Sequence, residues 1–330
     1  MILLLETLHP DAHALLLQLD AVVLAEDPVV ALRIAETGKV QGILTRGKGK
    51  ITRELMQACG PSLKAVSRCG AGLDTVDTVA AQNLGVAVIY APGLNAQTTA
   101  EHAIMLMLAC GRKLAMLNSA VKAGNWAIRN VYEGIELNGK TLGIIGMGNI
   151  GQRVAALAQA FGMRVGYWNR SRIGSEGLES SKVRKLSPSI LTNFTNIDDL
   201  LRVADVVSLH VALNADTRGM IGVTQLALMK PSAILVNTAR GALIDQAALA
   251  QTLVDGKLGA FGGDVLDGQP PSSDDPLLKQ ERAILTPHVG GLTDTTYREV
   301  CVYCARNVAV VIRGDLPDEN SVFKSLVPSA

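Results

Sequence analysis

The chain has 330 residues, which at roughly 150 residues per domain is enough for two domains with separate cores and excludes a single small module. Lys and Arg number 31 against 30 Asp and Glu, and the resulting net charge of +1 excludes the one-sided field of a general nucleic-acid binder. The 48% hydrophobic content with 32 glycines excludes a disordered chain and fits a packed α/β protein with many short turns.

Residues 1–5 are apolar, without a basic stretch that would suit a leader, and no run of 18 apolar residues follows anywhere. No membrane partner is expected. Short buried strands are predicted at Val22–Leu24, Gly42–Thr45, 63–67 and 86–89, separated by helical or glycine-containing stretches. Thr98-Thr99-Ala100-Glu101 then caps an apolar run that predicts one long helix over 100–120. A second series of strands follows at Thr141–Ile145, Arg164–Trp168, 205–210, 233–237, 259–264 and 283–286, with helices at 152–161, Ile197–Val203 and 246–253 between them. This alternation predicts parallel, doubly wound sheets. The exception is 171–196, a polar connection with a basic cluster at Lys182, Arg184 and Lys185, which reads as a surface excursion. Five cysteines, Cys59, Cys69, Cys110, Cys301 and Cys304, are too few and scattered for a disulfide framework, so a reducing, cytoplasmic location is expected. Cys301 and Cys304 have the spacing of half a metal site, but no second pair accompanies them. They read as core thiols, and no metal site is expected.

Gly146-Met147-Gly148-Asn149-Ile150-Gly151 is a GxGxxG motif directly after the strand Thr141–Ile145 and at the start of a helix. There Gly146 makes the turn, Gly148 lets backbone amides approach a diphosphate, and Gly151 lets helix and strand pack closely. An NAD site usually has Asp or Glu at the end of the next strand, whereas this chain has Asn169-Arg170-Ser171-Arg172. Asn169 removes the carboxylate that would repel a 2′-phosphate, and Arg170 and Arg172 supply cations for it. NADP(H) is therefore expected to be preferred, with NAD(H) possible.

Three further motifs follow in order: Asn237-Thr238-Ala239-Arg240-Gly241, Asp264-Val265-Leu266-Asp267-Gly268-Gln269-Pro270 and Thr286-Pro287-His288-Val289-Gly290-Gly291. With Cys69-Gly70-Ala71-Gly72-Leu73-Asp74 and Asn95-Ala96-Gln97-Thr98-Thr99-Ala100-Glu101, the chain resembles the D-isomer-specific 2-hydroxyacid dehydrogenases over nearly its whole length. The resemblance implies a substrate domain at 1–97 and 287–330 and a larger Rossmann-type dinucleotide-binding domain, 98–286, inserted into it. It implies Arg240 as the cation that grips a 2-oxoacid carboxylate, His288 as proton donor and acceptor, and Asp264 at the nicotinamide end of the cofactor. Thr238, Ala239, Gly290 and Gly291 fall in the same cofactor-side motifs. Backbone amides near Ala71 and Gly72 would bind the substrate carboxylate from the other domain. A small anionic 2-oxoacid or 2-hydroxyacid is the implied substrate, and the helix over 100–120 implies a homodimer. Arg46 and Arg68, at strand ends of the first domain, are candidates for contact with an acidic substrate.

One position departs from the family pattern. Gln269 stands where the family commonly has a Glu that supports the catalytic histidine, and an amide can orient the ring without supplying charge. Formate dehydrogenases of this family also carry Gln there. The expected activity is reduction of a 2-oxoacid such as glyoxylate or hydroxypyruvate, or the reverse oxidation. Phosphoglycerate oxidation, formate-type hydride abstraction and a catalytically weak NADP(H)-sensing protein are the alternatives.

Overall fold

The computed structural model describes residues 1–170 and 191–324. Ser171, Arg172 and the basic cluster at Lys182, Arg184 and Lys185 lie outside the described residues. The chain falls into two compact units, one of Met1–Asn95 with the stretch from Leu292 onward, the other Ala96–Gly291.

The first unit holds five parallel strands, β1 (Ile2–Leu4), β2 (Val22–Leu24), β3 (Gly42–Thr45), β4 (Ala65–Arg68) and β5 (Ala87–Tyr90), in the order β2-β1-β3-β4-β5. Alternate side chains enter opposite layers because successive residues of a strand point to opposite faces. Leu3, Ile43 and Val66 pack with Ala31, Ala35 and Met56 on one side, while Ile2, Leu4 and Leu44 pack with Leu16, Val300 and Val308 on the other. All five cysteines are free and buried, and Cys301 and Cys304 lie on the helix Asp294–Arg313.

The second unit holds seven parallel strands, β6 (Thr141–Ile145), β7 (Arg164–Trp168), β8 (Leu191–Phe194), β9 (Val206–Leu209), β10 (Ile234–Asn237), β11 (Ala260–Gly263) and β12 (Ala283–Leu285), in the order β12-β11-β10-β9-β6-β7-β8. Leu142, Ile144, Val206 and Val236 face the layer containing Leu106, Met107 and Val154. Ile145, Val207 and Leu235 face the opposite layer, with Leu200, Leu249 and Leu253. The reversal of strand order beside β6 brings the ends of β6 and β9 together, the place where open α/β sheets bind ligands.

Several details differ from the sequence expectation. The long helix over 100–120 is two helices, Ala96–Gly111 and Leu114–Lys122, bent by 60° where Lys113 takes a left-handed φ of 52°. Among the described residues no single helix is long and apolar enough to cross a membrane. The end of the expected surface excursion is β8, an edge strand parallel to β7, with Thr192 and Asn193 exposed. The short β1 carries no turn signal ahead of it and is an additional strand. The units divide after 95 and 291 rather than after 97 and 286, because hydrogen bonds to Asp264 tie the His288 loop to the second unit.

Candidate active site

β6 ends in the glycine turn. Gly146 has φ +101°, and a Cβ there would lie 2.7 Å from the carbonyl carbon of His210 after β9. At Gly151 a Cβ would meet the Gly146 carbonyl oxygen at 2.2 Å, so helix and turn touch backbone to backbone. Gly148 differs: nothing lies within 4 Å of the place where its Cβ would be. It caps the 12-residue helix Asn149–Ala160 without a side-chain hydrogen bond, so the first amides, at Asn149, Ile150 and Gly151, have no side-chain cap. Asn169 Oδ1 accepts from Met147 N at 3.3 Å, joining the end of β7 to this turn. Arg170 is exposed and pairs with Asp216, Nη1 to Oδ2 3.7 Å. His210 Nε2 lies 2.9 Å from Ser208 Oγ, while its buried Nδ1 has no partner. Burial pushes this ring down to about 3, so it stays neutral.

At the end of β10, Asn237 is buried and organises the next motif. Its Oδ1 accepts from Ala239 N at 3.0 Å and its Nδ2 donates to Arg240 O at 2.8 Å. Arg240 Nη1 donates to Ala239 O at 2.6 Å. Thr238 Oγ1 is buried without a partner.

Asp264, 2% exposed at the end of β11, fastens the loop that follows β12. Its Oδ1 accepts from Thr286 Oγ1 at 2.6 Å and Val289 N at 2.9 Å, its Oδ2 from Gly290 N at 2.8 Å, and its backbone oxygen from His288 N at 2.8 Å. Burial raises this carboxyl, but the hydrogen bonds from His102, Thr286, Gly290 and Val289 outweigh it and hold the pKa below the ordinary value. The resemblance gives Asp264 to the cofactor, and its carboxylate also fastens the loop through these protein donors. The bonds hold His288 at a left-handed φ of +56°, a conformation costing a non-glycine residue about 1–2 kcal/mol.

His288 is exposed, and its Nδ1 lies 2.8 Å from Gln269 Oε1. Gln269 Nε2 donates to Leu266 O at 3.3 Å, which turns the amide oxygen toward the ring. Nδ1 therefore carries a proton and donates it to Gln269. Thus the fold brings Arg240, Asp264, Gln269, His288, Gly290 and Gly291 into one unit with the glycine turn. Two further contributors carry no local sequence signal for this role: Thr286, within the His288 motif, and His102, whose partners are remote in sequence.

The first-unit candidates are placed as follows. Arg46 Nη2 pairs with Glu6 Oε2 at 3.2 Å, and its guanidinium lies over Tyr297, 5.1 Å from the ring centre. It is thus a partnered residue of its own unit, where the sequence reading offered it to a substrate. Arg68 lies against Gly70, where a Cβ would sit 1.5 Å from Nη1. Ala71 and Gly72 follow in the half-buried turn after β4.

The donor set fits a nicotinamide dinucleotide, since the uncapped amides and the space at Gly148 suit a diphosphate and Thr238 offers an unused hydroxyl. A family model described as D-isomer specific 2-hydroxyacid dehydrogenase, NAD binding domain, matches residues 104–290, more than half the chain. The chain belongs to the D-isomer-specific 2-hydroxyacid dehydrogenase family. Relatives within this family include the D-3-phosphoglycerate dehydrogenase of Archaeoglobus fulgidus, 38% identical over 297 residues, covering 90% of this chain and 54% of that one. The chain thus spans about half the length of that relative. The glyoxylate reductase of Aeropyrum pernix is 36% identical over 263 residues, 78% of this chain and 76% of that one. Among solved structures, a glyoxylate reductase from Paecilomyes thermophila aligns with a TM-score of 0.83 at 33% identity, covering 98% of this chain and 97% of that one.

Proposed function

We propose that the chain is a reductase of small 2-oxoacids of the glyoxylate and hydroxypyruvate class, preferring NADPH and accepting NADH. The observation that carries the reading is the His288–Gln269 contact, which orients the ring of a residue type suited to proton transfer. A bound nicotinamide supplies the hydride to the ketone carbon. Helix-start amides behind Gly148 hold the diphosphate, and Thr238 donates or accepts one further hydrogen bond on the cofactor side. The Arg240 guanidinium grips the oxoacid carboxylate and draws electron density toward the ketone oxygen. His288 gives its Nε2 proton to that oxygen and, in the reverse direction, takes it from the hydroxyl. Nδ1–H stays on Gln269 throughout, so only one nitrogen changes protonation state.

NADPH preference is supported by Asn169, an amide in place of the usual carboxylate at the end of β7, and by Arg170 next to it. A homodimer is supported by the helix Leu114–Lys122, which buries none of its residues and exposes Leu114, Met116 and Val121. Five free thiols support a reducing, cytoplasmic compartment. One second reading has an observation in its favour: the neutral partner of His288 also suits formate oxidation, in which no substrate proton moves.

The test is a spectrophotometric panel of glyoxylate, hydroxypyruvate and other 2-oxoacids with NADPH and NADH, together with 3-phosphoglycerate and formate with the oxidised cofactors. Turnover confined to 2-oxoacids and faster with NADPH is expected. Turnover of formate or 3-phosphoglycerate alone replaces the reading, and tight cofactor binding without turnover points to a sensing protein.

A further inference from the structure

His102 stands in the helix Ala96–Gly111, with its side chain 15% exposed. Its Nε2 is 2.9 Å from Thr286 Oγ1 and 3.4 Å from Asp264 Oδ1. The protons of this trio follow from the donor count. The Thr286 hydroxyl has one hydrogen, committed to Asp264 Oδ1 at 2.6 Å, so toward His102 it acts as acceptor. Nε2 therefore bears hydrogen; a bare Nε2 would both compete for the threonine proton and face the carboxylate lone pair to lone pair. The amides of Val289, to Asp264 Oδ1, and Gly290, to Oδ2, complete the grip on the loop. The packing is close: a Cβ on Gly290 would lie 2.8 Å from Asp264 Oδ2 and 3.3 Å from His102 Cδ2.

We propose that His102 is a positioning residue for proton transfer: it fastens Thr286 and Asp264 and through them holds His288 in its left-handed loop. This rests on the reading that His288 transfers the substrate proton. Without the Nε2 donor, Thr286 loses the contact that fixes its rotamer, and the buried carboxylate loses one of the partners that offset its burial. The strained loop then drifts, and a small displacement of a proton donor is costly because proton transfer needs hydrogen-bond geometry in the transition state.

The experiment compares His102→Phe and His102→Gln in the full chain, with glyoxylate and saturating NADPH. For His102→Phe, kcat and kcat/KM are expected to fall together by roughly 10- to 100-fold, with the KM for glyoxylate nearly unchanged, the signature of an interaction realised in the transition state. His102→Gln keeps an N–H near the Nε2 position and is expected to recover most of the loss. In a His288→Ala background His102→Phe should add nothing, since the two act on one step. An unchanged kcat in His102→Phe, or an equal further loss in the His288→Ala background, overturns the proposal. Should His102→Phe fail to fold, Thr286→Val cuts the same link and must give the same loss and the same non-additivity. If no oxoacid is turned over, or if His288→Ala retains full activity, it is the functional reading that fails. The positioning claim is then read by hydrogen exchange of the Val289 and Gly290 amides, expected to quicken in His102→Phe; unchanged exchange overturns it.

Discussion

His288 donates from Nδ1 to the amide oxygen of Gln269 at 2.8 Å, so the ring is oriented by a partner that carries no charge. A dipole stands where the family resemblance implies a carboxylate, and orientation is separated from charge stabilisation.

Arg240→Ala should lower turnover of any accepted 2-oxoacid by orders of magnitude while leaving cofactor affinity close to wild type, because the guanidinium acts on the substrate carboxylate and the transition state. Steady-state kinetics with a parallel NADPH fluorescence titration checks this. Retained turnover contradicts the role.

Gly148→Ala and Gly151→Ala should separate binding from folding. The first puts a methyl group into open space, so thermal stability stays near wild type while cofactor affinity drops. The second drives a Cβ onto the Gly146 carbonyl oxygen and should destabilise by about 1–3 kcal/mol or more, in the range for overpacking. Calorimetry and a cofactor titration on both variants distinguish the two effects.

Arg170→Ala should weaken NADPH by roughly tenfold or more, the loss of a charge-assisted hydrogen bond, with little change for NADH. Asp216→Asn should act in the opposite direction on NADPH, since Asp216 faces Arg170 across 3.7 Å and competes for its charge. The ratio of the two dissociation constants is the readout, and equal changes for both cofactors contradict the NADP preference.

Glu6 tests the first unit. Its Oε1 accepts from Thr45 Oγ1 and from the amides of Arg46, Gly47 and Lys48, and its Oε2 pairs with Arg46. Burial raises this carboxyl, but those partners outweigh it and leave the pKa lowered. A lowered folded value means the contribution is present above the ordinary glutamate range and is lost as pH falls through the folded value. Glu6→Gln should therefore reduce stability at pH 7 by about 1–3 kcal/mol, with the difference from wild type closing in acid. A pH-independent difference in melting temperature contradicts the assignment.

Much of this arrangement was legible in the sequence because it is local. Apolar runs marked the central strands, and the glycine turn between β6 and its helix could be read from six residues. The His288–Gln269 contact was expected from the family resemblance of their two motifs. What was not legible depends on residues distant in sequence or on backbone angles. His102 meets Thr286 across 184 positions, and a histidine in an apolar helix has no local mark of that contact. Glu6 captures Arg46 in the same way, from 40 residues earlier. Lys113 breaks the expected long helix through a left-handed φ that a lysine does not announce. β8 escaped because Thr192 and Asn193 make it half polar, as an exposed edge strand allows.

The claim that His288 protonates the oxoacid under the influence of a neutral partner is tested most directly by the pH dependence of reductive kcat/KM for wild type and Gln269→Glu. Reduction needs the protonated ring, and a carboxylate 2.8 Å away stabilises that form whereas an amide does not. Side-chain length is preserved, so packing changes little. The account predicts that the descending limb of the Gln269→Glu profile moves to higher pH than that of wild type. Superimposable profiles would contradict it.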